Sequence, residues 1–205
     1  MLTLLCNELI EKFTIIVFIH QEGCSFFELD ERVKIVVLKG NLIQHNFQIY
    51  RCLKSTNTKY YINLDSNSVL LNGFLLPSFT KLIVWEHFSL EHNFQKWLFT
   101  LSRMYAAYRT SAFVVLSNFE KELWNSRYKI SLSKIEIINN PISIHPKNIT
   151  HNNNWRNKSV IAIGNDIKIK GFDLLLQAWK KIDSLGELTI VGLPLDEQNQ
   201  LRDQI

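Results

Sequence analysis

The chain has 205 residues, of which 46% are hydrophobic and 20% are charged, a composition typical of a globular protein with a sizeable core. Its net charge is +4, and it has no basic stripe and no basic residues interleaved with aromatic ones, which argues against a nucleic-acid partner. No apolar run is as long as a membrane span, and no signal peptide is recognised. The cysteines Cys6, Cys24 and Cys52 cannot all pair and lack metal-ligand spacing, which favours a reduced compartment. We therefore predict a cytoplasmic protein that is soluble or at most peripheral to a membrane.

Apolar patterning predicts alternating helices and strands along most of the chain. In chain order, we predict a helix at 1–12, strands at 13–19 and 33–38, a helix at 41–54, a strand at 60–64, a helix at 68–76, a strand at 81–85, a helix at 94–108, a strand at 112–116, a helix at 118–128, strands at 135–138 and 160–163, a helix at 173–182, a strand at 187–191 and a helix beginning at 195. This alternation indicates an α/β fold with mostly parallel, doubly wound sheets.

Two of the predicted helices carry apolar stripes that we expect to face a core. The first stripe is Phe94, Trp97, Leu98, Leu101, Tyr105 and Tyr108, and the second is Leu174, Leu175, Ala178, Trp179 and Ile182. A polar segment with two prolines, Pro141 and Pro146, interrupts the alternation and is typical of a linker. We therefore predict a large Rossmann-like domain at 1–145, a linker at 146–158 and the start of a second such domain at 159–205.

The segment from 159 to 192 reads as a strand, a basic loop, a helix and a second strand, which together form a βαβ unit. The first loop of such a unit is where phosphates bind. Lys168 and Lys170 supply positive charge there, and Gly171 lets the backbone enter the helix without a side chain in the way. The pattern favours an anion site, although a solvated basic loop would have the same sequence.

Residues 163–179, IGNDIKIKGFDLLLQAW, resemble the start of the second domain in family 4 glycosyltransferases of the GT-B fold. Members of that family carry Gly-Arg, four residues and then Lys-Gly-Phe, and the arginine and lysine hold the diphosphate of a nucleotide sugar. The resemblance puts Lys170 on the lysine position, followed by Gly171. Asn165, after Gly164, stands where the arginine is expected, and its amide can donate to phosphate but brings no charge.

A second motif, Trp85-Glu86-His87-Phe88, follows a predicted strand and is similar to one in transferases of this family that build bacterial surface glycans. There the histidine faces the sugar donor. The resemblance implies that His87 contacts sugar hydroxyls or steadies the transferring group, with Glu86 orienting it. The alternative is a capping glutamate beside a partly buried histidine.

Ser117 also ends a predicted strand, and similar serines in the family precede a helix that faces the cleft between the domains. A simple helix cap would give the same pattern. Asn139-Asn140-Pro141-Ile142 resembles the hinge that ends the first domain, and we expect a structural role for it. The sequence has no Asp-x-Asp motif, so we predict neither metal nor cofactor. The resemblance implies a donor similar to a UDP-sugar as substrate.

The resemblance implies that both domains are incomplete. The family's first helix, which 4–11 resembles, follows a strand and a glycine loop, and its paired donor-binding glutamates would lie after Ile205. We therefore expect an internal piece of a transferase that is inactive alone.

The resemblance implies transfer of a hexosyl or N-acetylhexosaminyl group from a nucleotide diphosphate sugar to a glycan or lipid-linked acceptor. The expected context is bacterial surface polysaccharide or lipopolysaccharide synthesis, in the cytoplasm or at the inner membrane surface. Two alternatives stay open: a non-catalytic truncated product, and a sugar-nucleotide epimerase of the same fold. A dinucleotide-dependent dehydrogenase fits less well, because no Gly-x-Gly-x-x-Gly follows a predicted strand.

Overall fold

A computed structural model describes residues 2–21, 23, 27–90, 97–141, 159–182 and 186–202. The chain divides into two compact units, Met1–His145 and Pro146–Ile205. The linker predicted at 146–158 lies outside the described residues, as do the first residues of the helix predicted at 94–108.

Helices and strands alternate as the apolar pattern predicts, with bounds that differ by a few residues at most ends. The helices are α1 (Leu2–Leu9), α2 (Leu42–Ser55), α3 (Val69–Asn72), α4 (Trp97–Arg109), α5 (Asn118–Tyr128), α6 (Ile167–Lys170), α7 (Phe172–Trp179) and α8 (Leu195–Arg202). The strands are β1 (Ile16–Ile19), β2 (Lys34–Val37), β3 (Tyr60–Asn63), β4 (Lys81–Trp85), β5 (Ala112–Val115), β6 (Ile135–Ile137), β7 (Ser159–Ile163) and β8 (Glu187–Val191).

All strand pairs of the described residues are parallel. The first unit contains a pair, β1–β2, and a four-stranded sheet in the order β3–β4–β5–β6; the second contains the pair β7–β8. Parallel strands require crossover connections, and helices supply most of them here. The predicted α/β class with parallel sheets is confirmed.

The core of the first unit lies between its helices and the four-stranded sheet. Phe113 on β5 and Trp124 on α5 are fully buried, with ring centroids 4.5 Å apart. Ile49 and Leu53 of α2 join the same cluster, as does Val84 of β4. This packing holds β4 inside the core, between β3 and β5 in the sheet, and so it also holds the start of the loop that follows β4.

The face of α4 that turns inward is not the predicted one. Trp97 is 69% exposed and Tyr108 is 83% exposed, whereas Ser102, Arg103 and Ala106 are buried. One terminal nitrogen of the Arg103 guanidinium donates to the Leu90 carbonyl at 2.9 Å, and the Ser102 hydroxyl is hydrogen bonded. The predicted apolar stripe is therefore largely wrong for α4: of its described members only Tyr105 packs against the core, and hydrogen-bonded polar side chains occupy much of the inner face.

The stripe predicted for α7 is right in part, since Leu175 packs against the core of the second unit. Leu174 is 66% exposed, whereas Phe172 and Leu176 are buried against Ile167 and Leu193. Apart from Asp173 and Gln177, the residues of α7 are apolar, so two overlapping sets of positions satisfy the same spacing. The helix also ends at Trp179, before the predicted bound.

Candidate functional site

The parallel order of the four-stranded sheet brings the carboxyl ends of its strands to one edge. Asp65 and Ser66 follow β3, Glu86 and His87 follow β4, and Ser117 follows β5. Open parallel sheets bind ligands at this edge. The strands therefore bring the sequence-predicted Glu86 and His87 beside Ser66, which the sequence reasoning did not single out.

Glu86 is 3% exposed, and both of its carboxylate oxygens accept hydrogen bonds. Oε1 accepts from the backbone N–H groups of His87 and Phe88, each at 3.1 Å. Oε2 accepts from the backbone N–H of Ser66 at 3.3 Å and from its hydroxyl. The carboxylate thus connects the loop after β3 to the loop after β4, and it orients His87 through the backbone.

Ser66 is itself held in place from α4. The Ser102 hydroxyl donates to the Ser66 carbonyl at 2.8 Å and accepts from the backbone N–H of Leu70 at 3.1 Å. Asp65 caps the short 3₁₀ turn Ser66–Ser68 by accepting from the Asn67 N–H at 2.8 Å. The buried Ser102 of α4 therefore supports the site, which explains why a polar residue occupies that face.

Burial raises the pKa of the Glu86 carboxyl above its ordinary value of 4.5, while the hydrogen bond from Ser66 opposes this shift. Desolvation destabilises the charged carboxylate, whereas its four hydrogen-bond donors stabilise that charged form. The net direction is upward. Glu86 therefore holds its proton to higher pH than an exposed glutamate does.

His87 combines a half-buried ring with an unused nitrogen. Its Nε2 is buried and has no hydrogen-bond partner among the described residues, and its ring stacks on Trp85 with centroids 6.0 Å apart and planes 20° apart. Burial lowers the pKa of His87 below its ordinary value of 6.5, with Asp65 opposing the shift in part. A neutral imidazole can donate through one nitrogen and accept through the other. His87 thus keeps one ring nitrogen that no residue in the described ranges uses.

Ser117 is the N-cap of α5, since its side chain accepts from the Glu120 N–H at 3.2 Å. The cap accounts for the serine structurally, and contact with a ligand stays a prediction. Nearby, the Asn139 side chain donates to the Leu116 carbonyl at 2.7 Å, which ties the end of β6 to the end of β5. This contact agrees with the structural role expected for the hinge-like segment.

In the second unit, the predicted basic loop after β7 is partly helical. Asp166 caps α6 by accepting from the Ile169 N–H at 2.7 Å, and Gly171 ends that turn with a φ of +66° before α7 begins. Glycine adopts this left-handed conformation without steric cost. The prediction of an irregular loop missed the cap, although Asp166 is a common capping residue.

The two lysines of α6 differ in their surroundings. Lys168 Nζ forms an ion pair with Asp173 Oδ2 at 2.5 Å, and this contact lowers the pKa of the Asp173 carboxyl. No ion pair involves Lys170 among the described residues, and its side chain is exposed. Lys170 is therefore the lysine whose charge is free for an anion.

Gly164 provides the space that the Lys170 side chain occupies. A Cβ at Gly164 would lie 2.5 Å from Lys170 Cγ and 3.0 Å from Phe172 Cζ. Gly192, at the end of β8, has a φ of +99°, and a Cβ there would lie 2.9 Å from the Gly164 carbonyl oxygen. Two glycines thus allow close packing at the carboxyl ends of β7 and β8, with Lys170 over one of them and the exposed Asn165 next to it.

The described residues contain no cluster of three His, Cys, Asp or Glu side chains that could hold a metal ion. Within the same ranges, no helix combines the length and apolar character that crossing a bilayer requires. The candidate residues thus form two separate groups, Glu86 with His87 in the first unit and Gly164 with Lys170 in the second.

The parallel α/β sheets, together with one solved structure of similar fold, confirm the predicted GT-B-like fold class. The chain matches a solved structure of the lipopolysaccharide outer core galactosyltransferase WaaB in its apo form, with a TM-score of 0.56 and 20% identity over 85% of this chain and 50% of that one. It is also 28% identical to an uncharacterized glycosyltransferase of Haemophilus influenzae over 185 residues. This alignment covers 85% of this chain and 51% of the relative. No family model matches the chain. The chain therefore spans about half the length of the proteins it matches.

Proposed function

We propose that this chain is part of a glycosyltransferase that uses a nucleotide diphosphate sugar. The observation that carries the proposal is the similarity to a glycosyltransferase along 85% of the chain. Because the chain spans about half of that relative, the activity is proposed for the whole protein. The assignment to family 4 is part of the same proposal.

The donor phosphates would bind at the carboxyl end of β7. The exposed Lys170 would neutralise charge on the departing diphosphate, which stabilises the leaving group in the transition state. The amino-terminal end of α7 at Gly171 adds partial positive charge, and Asn165 adds an amide donor. Gly164 supports this role because it leaves room for the Lys170 stem.

His87 would contact the sugar of the donor. Its neutral imidazole has a buried, unpartnered Nε2, which suits a hydrogen bond to a sugar hydroxyl. Glu86 would not contact the sugar itself, but it would position His87 by holding the backbone of His87 and Phe88. No metal or cofactor has a role in this mechanism; the nucleotide sugar, similar to a UDP-sugar, is the substrate.

We further propose a glycan or lipid-linked acceptor and a role in bacterial surface polysaccharide or lipopolysaccharide synthesis. The fold neighbour supports this context, since its name describes lipopolysaccharide outer core synthesis. A cytoplasmic protein, peripheral at the inner membrane surface, would reach such an acceptor. The transferred group would be a hexosyl or N-acetylhexosaminyl unit.

Calorimetry with UDP and GDP on the 205-residue chain tests the proposal. We expect binding of one of them, and an affinity at least about tenfold weaker for Lys170→Ala, because a charge-assisted hydrogen bond contributes roughly 1.5–3 kcal/mol. Lys181→Ala, just beyond the other end of α7, is the matched control and should bind like the parent chain. Equal affinities for Lys170→Ala and the parent, or no binding of either nucleotide, would overturn the donor-site assignment. Interconversion of a UDP-sugar by the chain, followed by NMR, would favour the epimerase alternative.

A further inference from the structure

A cavity in the first unit lies where α4 and α5 end and β6 begins. Its volume is about 470 Å³, which falls in the range of ~300–1,000 Å³ typical of small-molecule sites. Three of the residues that line it are cationic, namely Arg127, Lys129 and Lys134, and none of the described lining residues is Asp or Glu. The cavity is therefore positively charged.

Lys134 is held at the end of α4. Its Nζ donates to the carbonyl of Thr110, the residue directly after α4, at 3.3 Å. An ammonium group has three donors, so two remain after this contact. No ion pair involves Lys134 in the described part of the chain. The Lys134 ammonium is thus positioned at the cavity with a charge that no described carboxylate neutralises.

Lys129 ends α5 in the left-handed region, with a φ of +55°. Glycine usually occupies such a position at the end of a helix, because a Cβ is unfavourable there. Backbone strain of this kind clusters at functional sites. Lys129 is exposed and has no ion pair with any described residue, so its charge is also available to a ligand.

Basic residues at helix ends can serve only to balance the helix dipole, and the charges decide whether they do so here. The carboxyl ends of α4 and α5 each carry roughly −0.5 of an elementary charge, or about −1 together. Lys129 and Lys134 bring two full positive charges, before Arg127 is counted. The helix dipoles therefore leave a surplus of positive charge in the cavity.

We propose that this cavity, the basic pocket, binds the phosphate group of a small anionic ligand. Lysine ammonium groups donate strong hydrogen bonds to phosphate oxygens, and an anion would compensate the surplus charge. Met104 and Tyr108 of α4 also line the pocket and are 54% and 83% exposed, so they offer apolar and aromatic contact to the group that carries the phosphate. A soluble phosphate ester and a phospholipid headgroup share this chemistry.

The basic pocket is separate from Glu86 and His87. Lys134 directly precedes β6, which places the pocket at the amino-terminal edge of the four-stranded sheet. Glu86 and His87 follow the carboxyl end of β4, and the strands of this sheet are parallel, so the two sites lie at opposite edges. The inference is therefore independent of the sugar-transfer proposal.

NMR titration of the 205-residue chain with inorganic pyrophosphate tests the basic pocket. We expect the amide signals of Lys129, Ile130 and Ser131 to shift and saturate. The affinity should fall at least about tenfold in Lys134→Gln, which loses a charge-assisted contact. Lys59→Gln is the matched control and should bind like the parent, since Lys59 directly precedes β3 of the same sheet and does not line the pocket. The amides of α6 report the donor site in the same titration, so a failure there is distinguishable from a failure here.

Lys129→Gly removes the second lysine and relaxes the backbone, so the variant should melt at or above the temperature of the parent chain. We expect the same loss of affinity as in Lys134→Gln. Asn57→Gly is the control for the backbone change, since Asn57 is the other described non-glycine residue with a positive φ. Absence of saturable shifts, or parent-like affinity in both lysine variants, would overturn the proposal.

Co-sedimentation with lipid vesicles distinguishes the two sources of phosphate. Vesicles of phosphatidic acid in phosphatidylcholine are compared with vesicles of phosphatidylcholine alone, for the parent, Lys129→Gly and Lys59→Gln. Binding to the phosphatidic acid vesicles that only Lys129→Gly weakens would assign a lipid headgroup. Saturable pyrophosphate shifts without such binding would assign a soluble ligand, and vesicle binding that is equal in all three proteins would refute the lipid source.

Discussion

The Ser66 hydroxyl donates a hydrogen bond to the buried carboxylate of Glu86, 20 residues further along the chain. The same carboxylate accepts from the backbone of His87. The buried Glu86 carboxylate thus links the end of β3 to the end of β4. It also holds the backbone of His87, the residue proposed to bind the sugar. Stability at this contact and geometry at His87 are therefore coupled.

Ser66→Ala should lower the free energy of unfolding by roughly 1.5–3 kcal/mol, because a buried carboxylate loses a hydroxyl donor. For a chain of this size each kcal/mol corresponds to about 2–4 °C in melting temperature. Ser133→Ala is the control, since Ser133 is exposed and surface substitutions usually change stability by about 0.5 kcal/mol or less. Thermal melts of the three proteins check the prediction; a Ser66→Ala melt that coincides with the control would contradict it.

Stability should fall as pH rises above about 4.5 through the raised pKa of Glu86. A carboxyl whose pKa is raised on folding favours the folded state while it is protonated, so its contribution is fully present below the ordinary value and is lost as pH rises through the folded one. Glu86→Gln cannot titrate and should lack this part of the pH dependence. Urea-unfolding midpoints between pH 4 and 7 provide the test, and parallel curves for parent and variant would count against it.

His87 should titrate below 6.5 in the folded chain, because burial disfavours the imidazolium. A base whose pKa is lowered on folding contributes stability above its ordinary value, and this contribution is lost as pH falls through the folded pKa. NMR of the ring Cε1–H signal, assigned through its loss in His87→Gln, measures the value. The signal of the urea-unfolded chain is the reference. A folded value equal to or above it would refute the prediction.

Gly164→Ala should weaken nucleotide diphosphate binding, because the new methyl group would displace the Lys170 stem and press on the Phe172 ring. Overpacking of this kind costs typically 1–3 kcal/mol, part of which the flexible lysine can relieve by moving. Gly23→Ala is the matched control, since nothing lies within 4 Å of a Cβ there. Calorimetry with UDP compares the two variants. Parent-like affinity in Gly164→Ala would show that the position of Lys170 does not matter for binding.

Asn165→Arg should strengthen binding of the same nucleotide by about tenfold, because it adds a charge and a bidentate donor where the amide now stands. Asn165→Gln, which keeps the amide, should bind like the parent. Calorimetry at low and high salt separates the charge effect, which screening weakens. If arginine and glutamine variants bind alike, the position does not face the phosphates.

Several elements follow from local sequence. The bounds of β4 and β8 agree with the prediction, since each is a short apolar run between polar segments. α5 begins after Ser117 because a serine side chain can satisfy the first free N–H groups of a helix. The parallel α/β class follows from the alternation of such elements. Glu86, His87 and Gly164 directly follow predicted strands, whereas the resemblance to family 4 glycosyltransferases singles out Lys170.

The tertiary structure alone decided which helix faces are buried. On α4 the pattern favoured Trp97, but Ser102 and Arg103 turn inward, because their polar groups find partners in residues far away in the sequence. On α7 two sets of positions have the same period, so only the packing partners of Leu176 choose between them. The spacing of apolar residues predicts which residues share a helix face, but it does not predict which part of the protein that face packs against.

Long-range contacts also decided the detail of the site. Ser66 has no motif of its own and acquires its role because β3 and β4 are neighbours in the sheet. Local sequence predicts that β1 and β3 are strands, but the pairing of β1 with β2 and of β3 with β4 exists only in the folded unit. The physical reason is that strand pairing and burial depend on residues distant in the chain, whereas propensity, caps and apolar period depend on near neighbours.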